Sequence, residues 1–231
     1  MSAFLRVTLA LFGKDVKREL RTRETISSMF VFAILVVLVF NFTLALDEIR
    51  ALELGPGILW TAFIFAATLG LNRSFAAERD NHSLSGLMMA PADRSAIYFG
   101  KLASNLLFML VMELFVLPVF VLFFNLDLWQ VLPGADLAWF ALVLVLGTTA
   151  FTALGTILAA IASSTTMRDV LLPLLLLSFA VPVVIASAEA TRLLFDVDPL
   201  TGPGSWMTLL AVCTVCYITV SWMVFEYVLE E

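Results

Sequence analysis

Six long apolar stretches constrain the fold of this chain more than any other feature of its sequence. A helix needs roughly 20 residues to cross the hydrocarbon core of a bilayer. An isolated helix satisfies its own backbone hydrogen bonds inside a membrane. No stretch shows the alternation of apolar and polar residues that is typical of a membrane β-barrel. We therefore predict an all-α polytopic membrane protein with six transmembrane helices. The predicted spans cover residues 26–46, 57–77, 102–126, 137–162, 170–188 and 206–229.

The composition excludes several other classes of protein. Hydrophobic residues make up 61% of the 231-residue chain and charged residues only 14%, against about half and about a quarter in a soluble domain. One soluble core of this size cannot bury so much apolar side chain, which excludes a soluble enzyme, a disordered chain and a nucleic-acid binder. Two cysteines cannot form a disulfide framework, and one histidine cannot form a histidine-rich metal or heme site.

The basic residues predict the orientation of the spans. Eleven of the thirteen Lys and Arg residues lie within 1–25, within 73–101 or at position 168, which the predicted topology places on one side. Only Arg50 and Arg192 lie on the other side. Because basic loops stay on the cytoplasmic side of a membrane, we expect both termini to be cytoplasmic.

Residues 3–24 form a predicted amphipathic helix ahead of the first span. At about 100° per residue, the basic side chains of this helix lie away from one narrow apolar sector, which contains Leu5, Leu9, Phe12, Val16 and Leu20. Such a helix lies in the membrane interface with its basic residues at anionic lipid headgroups. We therefore predict a cytoplasmic elbow at 1–25 and a single membrane domain at 26–231. Whether the elbow only anchors the topology or also docks on a partner stays open.

The loop at 78–100 is the second informative cytoplasmic segment. Its charged beginning gives way to apolar residues at helical spacing, and Pro91 ends this short helix. Leu and Met exposed on one face of such a helix favour a protein partner, although a helix lying on its own membrane domain is the alternative. The predicted coupling residues are Glu78, Arg79, Asp80, Leu84, Leu87 and Met88.

Glu113 is an unusual residue because it lies well inside the third predicted span. A carboxylate there costs about 3 kcal/mol or more unless it is protonated, hydrated or partnered. We predict hydrogen-bond partners for it in Asn105 and in Asn41 or Thr43. Two roles stay open for Glu113: a polar determinant of conformational change or dimer contact, or a neutral side chain bonded to a neighbouring hydroxyl or carbonyl.

Glycine and proline predict where the helices end. The run from Leu54 to Gly57, with Pro56 inside it, predicts a break before the second span. Residues 189–205, between the last two spans, are expected to form a capping loop, with a short partly buried helix as the alternative. Gly155, Ala159 and Ser163 recur every four residues, which is typical of close helix packing.

The sequence contains no nucleotide-binding or heme-attachment motif. It contains no Gly-x4-Gly-Lys-Ser/Thr nucleotide-binding motif and no Cys-x-x-Cys-His heme-attachment motif. Cys213 and Cys216 are followed by Tyr217 inside an apolar stretch, so we expect two buried packing thiols. His82 lies on the cytoplasmic loop, where a polar surface role is favoured over heme ligation. The sequence thus predicts a non-catalytic subunit.

The order of an elbow helix, two spans, a helical loop and four spans resembles the permease subunits of type-2 ABC exporters. The resemblance is closest to the cytochrome c maturation permease family, heme exporter protein B (CcmB). It is carried across roughly 56–118 by Pro56-Gly-Ile-Leu-Trp60, Leu71-Asn-Arg-Ser-Phe75, Glu78-Arg-Asp80, Leu84-Ser-Gly-Leu87, Ala90-Pro91, Arg94, Tyr98 and Gly100-Lys101. The chain departs from a frequent Gly-x-Leu-Glu pattern, where His82, Ser83 and Ser85 stand instead.

This resemblance implies a multi-pass protein of the bacterial cytoplasmic (inner) membrane that forms a homodimer or pairs with another permease. The implied partners are a separate ABC ATPase subunit, a heme-handling membrane protein and a periplasmic heme chaperone. No cofactor is implied on the chain itself, because ATP binds the partner subunit and the complex handles heme. The subunit either exports heme or helps release the heme-loaded chaperone.

Two other functions stay open at this point. The first is a type-2 ABC exporter permease for another lipid-like or small hydrophobic cargo. The second is a secondary transporter or intramembrane enzyme without an ATPase, which is disfavoured because such proteins carry several intramembrane ionisable residues and Glu113 is alone.

Overall fold

The computed structural model describes residues 3–44, 48–80, 94–127, 131–163, 168–196 and 203–228. These residues contain seven long helices and no β-strand. The helices are α1 (Ala3–Thr22), α2 (Glu24–Leu44), α3 (Glu48–Asp80), α4 (Arg94–Phe123), α5 (Ala135–Ser163), α6 (Arg168–Phe195) and α7 (Gly204–Val228).

Six of these helices are long and apolar enough to cross a membrane, which confirms the predicted fold class. Their apolar segments are Glu24–Leu44, Arg50–Ser74, Arg94–Phe123, Ala135–Ala162, Val170–Phe195 and Gly204–Phe225. The helix ahead of them, α1, has its own direction, because Arg23 separates it from α2 with a positive φ of 54°. The chain is therefore a multi-pass membrane protein with one additional helix at its beginning.

The centre of the bundle is α3. Over an 18-residue stretch of its apolar segment 72% of the residues are buried, against 22% over such a stretch of both α2 and α7. It packs against α2, α4, α5 and α6, and its Trp60 is among the largest fully buried side chains. The outer helices α2 and α7 expose apolar side chains along much of their length, as helices in contact with lipid do.

The predicted break between Leu54 and Gly57 is wrong, because α3 begins at Glu48 and passes through Pro56 without interruption. Membrane bundles tolerate proline inside helices when neighbouring groups compensate for the missing hydrogen bond. Gly55 gives this stretch a packing role, since a Cβ atom built on it would lie 3.0 Å from Cζ of Phe120 in α4.

Of the two interpretations of 189–205, the capping loop is wrong for the first part, because α6 continues as a helix to Phe195. The last turns bury apolar residues, and Phe195 packs its ring 5.7 Å from that of Phe140. Glu189 and Arg192 form an ion pair one turn apart, at 2.9 Å between Oε2 and Nη2. Burial and this local pair extend the helix beyond its apolar segment.

Candidate functional site

The predicted coupling segment joins α3 to α4. Leu84, Leu87 and Met88 lie outside the described residues, as does His82. Glu78, Arg79 and Asp80 form the last turn of α3, where the backbone alone is described. The segment therefore connects the end of α3 to the start of α4, and the contacts of the described side chains near these two helix ends define its base.

Helix α1 packs against the first turns of α4, directly after the coupling segment. Thr8 Oγ1 donates a hydrogen bond to the carbonyl oxygen of Ala96 at 3.3 Å. A Cβ atom built on Gly100 would lie 3.0 Å from Cβ of Leu11 and 3.2 Å from the carbonyl oxygen of Thr8, so glycine permits the close approach of the two helices. The rings of Phe4 and Phe99 meet edge to face at 6.1 Å.

A buried ion pair fixes this contact. Lys101 Nζ lies 2.7 Å from Asp15 Oδ2, and each side chain is only 1% exposed. The second carboxylate oxygen, Oδ1, lies 3.7 Å from Nζ of Lys14, which is 42% exposed. A charge pair this deep strongly constrains geometry, because moving either partner leaves an uncompensated buried charge.

Glu19 connects the same helix to α2. Its Oε1 accepts a hydrogen bond from the backbone N–H of Ile26 at 2.8 Å. Ile26 is in the first turn of α2, where backbone N–H groups have no partner within the helix. Arg73, near the end of α3, donates to the carbonyl oxygen of Glu24 at 3.4 Å. The junction therefore ties together α1, α2, the end of α3 and the start of α4.

The buried face of α1 adds a third face to the predicted amphipathic helix. Leu11, Asp15 and Glu19 are buried, so both acidic side chains of α1 point into the protein. The apolar residues Leu5, Leu9 and Leu20 are exposed. The exposed charges of α1 are consequently all basic, at Arg6, Lys14, Lys17 and Arg21. Its location in the interface remains a prediction.

A polar seam runs between α4 and α5 in the interior of the bundle. Three pairs of side chains meet across it, each pair four residues from the next, as expected for antiparallel helices. Thr148 Oγ1 donates to Glu113 Oε1 at 2.6 Å, Thr152 Oγ1 lies 2.9 Å from Met109 Sδ, and Asn105 Nδ2 donates to Thr156 Oγ1 at 3.2 Å. All six side chains are buried.

The structure corrects the predicted partners of Glu113. Asn105 bonds to Thr156 instead, and Asn41 Nδ2 donates to the carbonyl oxygen of Phe123 at 2.7 Å, near the far end of α4. Thr148 supplies the hydroxyl that the sequence did not identify. The observed hydrogen bond from a hydroxyl agrees with the second of the two roles considered for Glu113, in which a neighbouring group is hydrogen-bonded to its side chain.

Close packing surrounds the seam. A Cβ atom on Gly147 would lie 2.5 Å from Trp60 Cη2 and 2.6 Å from Ser187 Oγ, while one on Gly155 would clash with Leu71. Trp60 Nε1 donates to Thr191 Oγ1 at 3.0 Å. Gly147 and Gly155 of α5 therefore permit close packing against α3 and α6. Ala159 is also buried, and the side chain of Ser163 lies outside the described residues.

The remaining candidate ligands do not form a metal site among the described residues. No group of three or more His, Cys, Asp or Glu side chains comes together there. Cys213 is half-buried and Cys216 is exposed on the outside of the bundle, so the prediction of two buried thiols is wrong for Cys216. Helical spacing alone does not tell which side of an all-apolar helix faces the protein.

Sequence reasoning missed Asp15, Glu19, Lys101 and Thr148. Two signals were present in the sequence. Asp15 and Glu19 are four residues apart on an otherwise basic helix, which marks a separate face. Thr148, Thr152 and Thr156 repeat every four residues, matching the period of Asn105, Met109 and Glu113.

Comparison with known proteins gives a consistent result. A family model described as "CcmB protein" matches residues 6–230. "Heme exporter protein B" of Paracoccus denitrificans is 31% identical over 194 residues, which cover 83% of this chain and 86% of that protein. Proteins of the same name from Rhodobacter capsulatus and Pseudomonas aeruginosa are 28% and 24% identical, over 79% and 85% of this chain and 81% and 86% of their own lengths.

Proposed function

The chain belongs to the CcmB protein family, and on this premise we propose that it is the transmembrane permease subunit of an ABC transporter complex for cytochrome c maturation. In this proposal a separate subunit hydrolyses ATP, and the chain transmits the resulting motion across the bacterial inner membrane. The work serves heme export or release of a heme-loaded periplasmic chaperone. The chain carries no catalytic group and binds no cofactor directly.

The junction around Asp15 and Lys101 is the observation that best supports this proposal. The segment 81–93 enters α4 at Arg94, and Lys101 is two turns farther along that helix. The buried pair and the cap from Glu19 tie those turns to α1 and α2. A force applied by a partner to this segment would therefore reach three helices together, as a coupling element requires.

The direction of transmission follows from the charge distribution. If basic segments lie inside, the α1 end of the bundle faces the cytoplasm, where an ATPase has access to ATP. The opposite end then faces the heme-handling membrane protein and the chaperone. A homodimer or a paired permease would complete the membrane part of the complex, with lipid around the exposed apolar faces of α2 and α7.

The test is to purify the full-length chain from its native membrane and to identify the proteins that stay bound. We expect an ATPase subunit together with a heme-handling protein. Recovery of an ATPase without heme proteins would favour an exporter of another hydrophobic cargo. Absence of any ATPase from an otherwise intact preparation would refute the proposal.

A substitution at the coupling segment makes the test specific. Changing Leu84, Leu87 and Met88 together to Asp should abolish ATPase association and leave membrane insertion intact. Gly86→Asp is the matched control, because residue 86 falls on the opposite face of the predicted short helix, about 200° from Leu84. If the ATPase still binds the triple variant, or if the control loses it equally, the coupling role of this face is wrong.

A further inference from the structure

The carboxyl group of Glu113 has one satisfied oxygen and one unsatisfied oxygen. Oε1 accepts the hydrogen bond from Thr148, whereas Oε2 has no hydrogen-bond partner among the described residues. The side chain is only 4% exposed. Beside it is a small cavity of about 10 Å³, whose lining includes Glu113, Thr148, Met109 and Trp60. This volume is close to the minimum of roughly 10–15 Å³ that holds one water molecule.

The helices that pack around Glu113 bring no charge to it. Lys101, on α4 itself, is twelve residues away, or about 18 Å along the helix, and it is paired with Asp15 of α1. Asp136 of α5 is equally far from Thr148. On α3, the nearest described basic side chains are Arg50, ten residues from Trp60, and Arg73, six residues from Ala67. Arg73 is exposed and donates a hydrogen bond to the carbonyl oxygen of Glu24.

The other described titratable groups do not line the cavity, and Glu189 and Arg192 of α6 pair with each other. In α2 the one acid is Glu24, at the first residue of the helix, and Glu53 of α3 is exposed at the opposite end of the bundle. The tyrosines and cysteines of α4 and α7 do not line the cavity. The groups that do face Glu113 are uncharged: one threonine, one methionine, one alanine, one isoleucine and three aromatic rings.

We propose that Glu113 is a proton-binding site in the interior of the bundle, with its carboxyl group held as the neutral acid. Oε1 is the carbonyl oxygen that accepts from Thr148, and Oε2 carries the proton and donates it to one water molecule in the cavity. A carboxylate at this position would be buried with one hydroxyl donor and no counter-charge, which is strongly unfavourable. The neutral acid needs only an acceptor for its proton, which a single water provides.

Infrared spectroscopy of the purified full-length chain tests this assignment independently of the transport function. At neutral pH the wild-type protein should show the C=O stretching band of a protonated carboxyl group, shifted downward in D2O. The band should be absent from Glu113→Gln and retained in Glu189→Gln, the matched control, because Glu189 is ion-paired with Arg192. If the Glu113→Gln spectrum instead lacks only carboxylate bands, Glu113 is ionised and the assignment is refuted.

A second variant keeps the test decisive if Glu113→Gln does not fold. Thr148→Val removes the hydroxyl donor to the carbonyl oxygen, so the acid band should move to higher frequency. An unchanged spectrum would contradict the assignment. The water is tested in the Thr148→Val variant, where it is the one hydrogen-bond partner left to the acid. An acid that donates to water absorbs below a free acid in an apolar site, so a free-acid frequency in this variant would exclude the water.

Discussion

Removing the positive charge of Lys101 should destabilise the bundle far more than removing any exposed positive charge of α1. With an effective dielectric constant of about 20, charges 2.7 Å apart attract by about 6 kcal/mol. Desolvation of both groups offsets much of this attraction, so the net value of the pair is small. The loss of one partner is different, because the other charge stays buried without compensation, which costs about 3–5 kcal/mol.

The assay is the free energy of unfolding of the purified chain in mixed micelles. Lys101→Met keeps the length of the side chain and should lower this free energy by about 3 kcal/mol or more. Lys14 lies 3.7 Å from Asp15 Oδ1 and can compensate in part, so the same change in a Lys14→Gln background should cost more. Lys17→Met is the control on the exposed surface and should change stability by less than about 0.5 kcal/mol.

The double variant Asp15→Leu with Lys101→Met completes the cycle. Replacing both charges by apolar side chains of similar size removes the buried charge, so stability should return to within about 1 kcal/mol of the wild type. Additive losses in the double variant would show that the two side chains do not interact, and would refute both the pair and the rigid junction built on it.

Two further changes test the packing of the bundle by the same unfolding measurement. Glu19→Ala removes the acceptor of the Ile26 N–H and should cost about 1 kcal/mol; a cost no greater than that of Ala at the exposed Glu24 would contradict the cap. Gly147→Val places atoms against Trp60 and should cost about 1–3 kcal/mol, whereas Gly57→Val, with no other atoms within 4 Å, should cost much less.

The six spans could be predicted because a membrane helix depends mainly on its own length and apolar composition. Their ends were harder to predict, as the region of Pro56 shows. A proline in water would end the helix, but in this bundle Gly55 lets Phe120 pack closely against the same turn. That contact joins residues far apart in the sequence, and local turn preferences contain no information about it.

The candidate site was predicted only in part for a related reason. Glu113 was identified because a carboxylate within an apolar run is unusual on any helix. The hydrogen-bond partner of Glu113 was not identified, since Asn41 and Thr148 are equally plausible until the packing of α2 and α5 against α4 is known. The buried face of α1 was overlooked because the apolar and basic sectors already accounted for most of its side chains, leaving Asp15 and Glu19 unexplained.

The contacts of α1 also set an order of events during synthesis of the chain. The bond from Ile26 to Glu19 spans seven residues and can form as soon as the beginning of α2 leaves the ribosome. The pair between Asp15 and Lys101 spans 86 residues, so it must wait until α2, α3 and the start of α4 have been made. Until then Asp15 partly neutralises the positive charge of α1. The helix therefore acquires its fully basic outer surface only when the fourth helix arrives, after the first spans have entered the membrane.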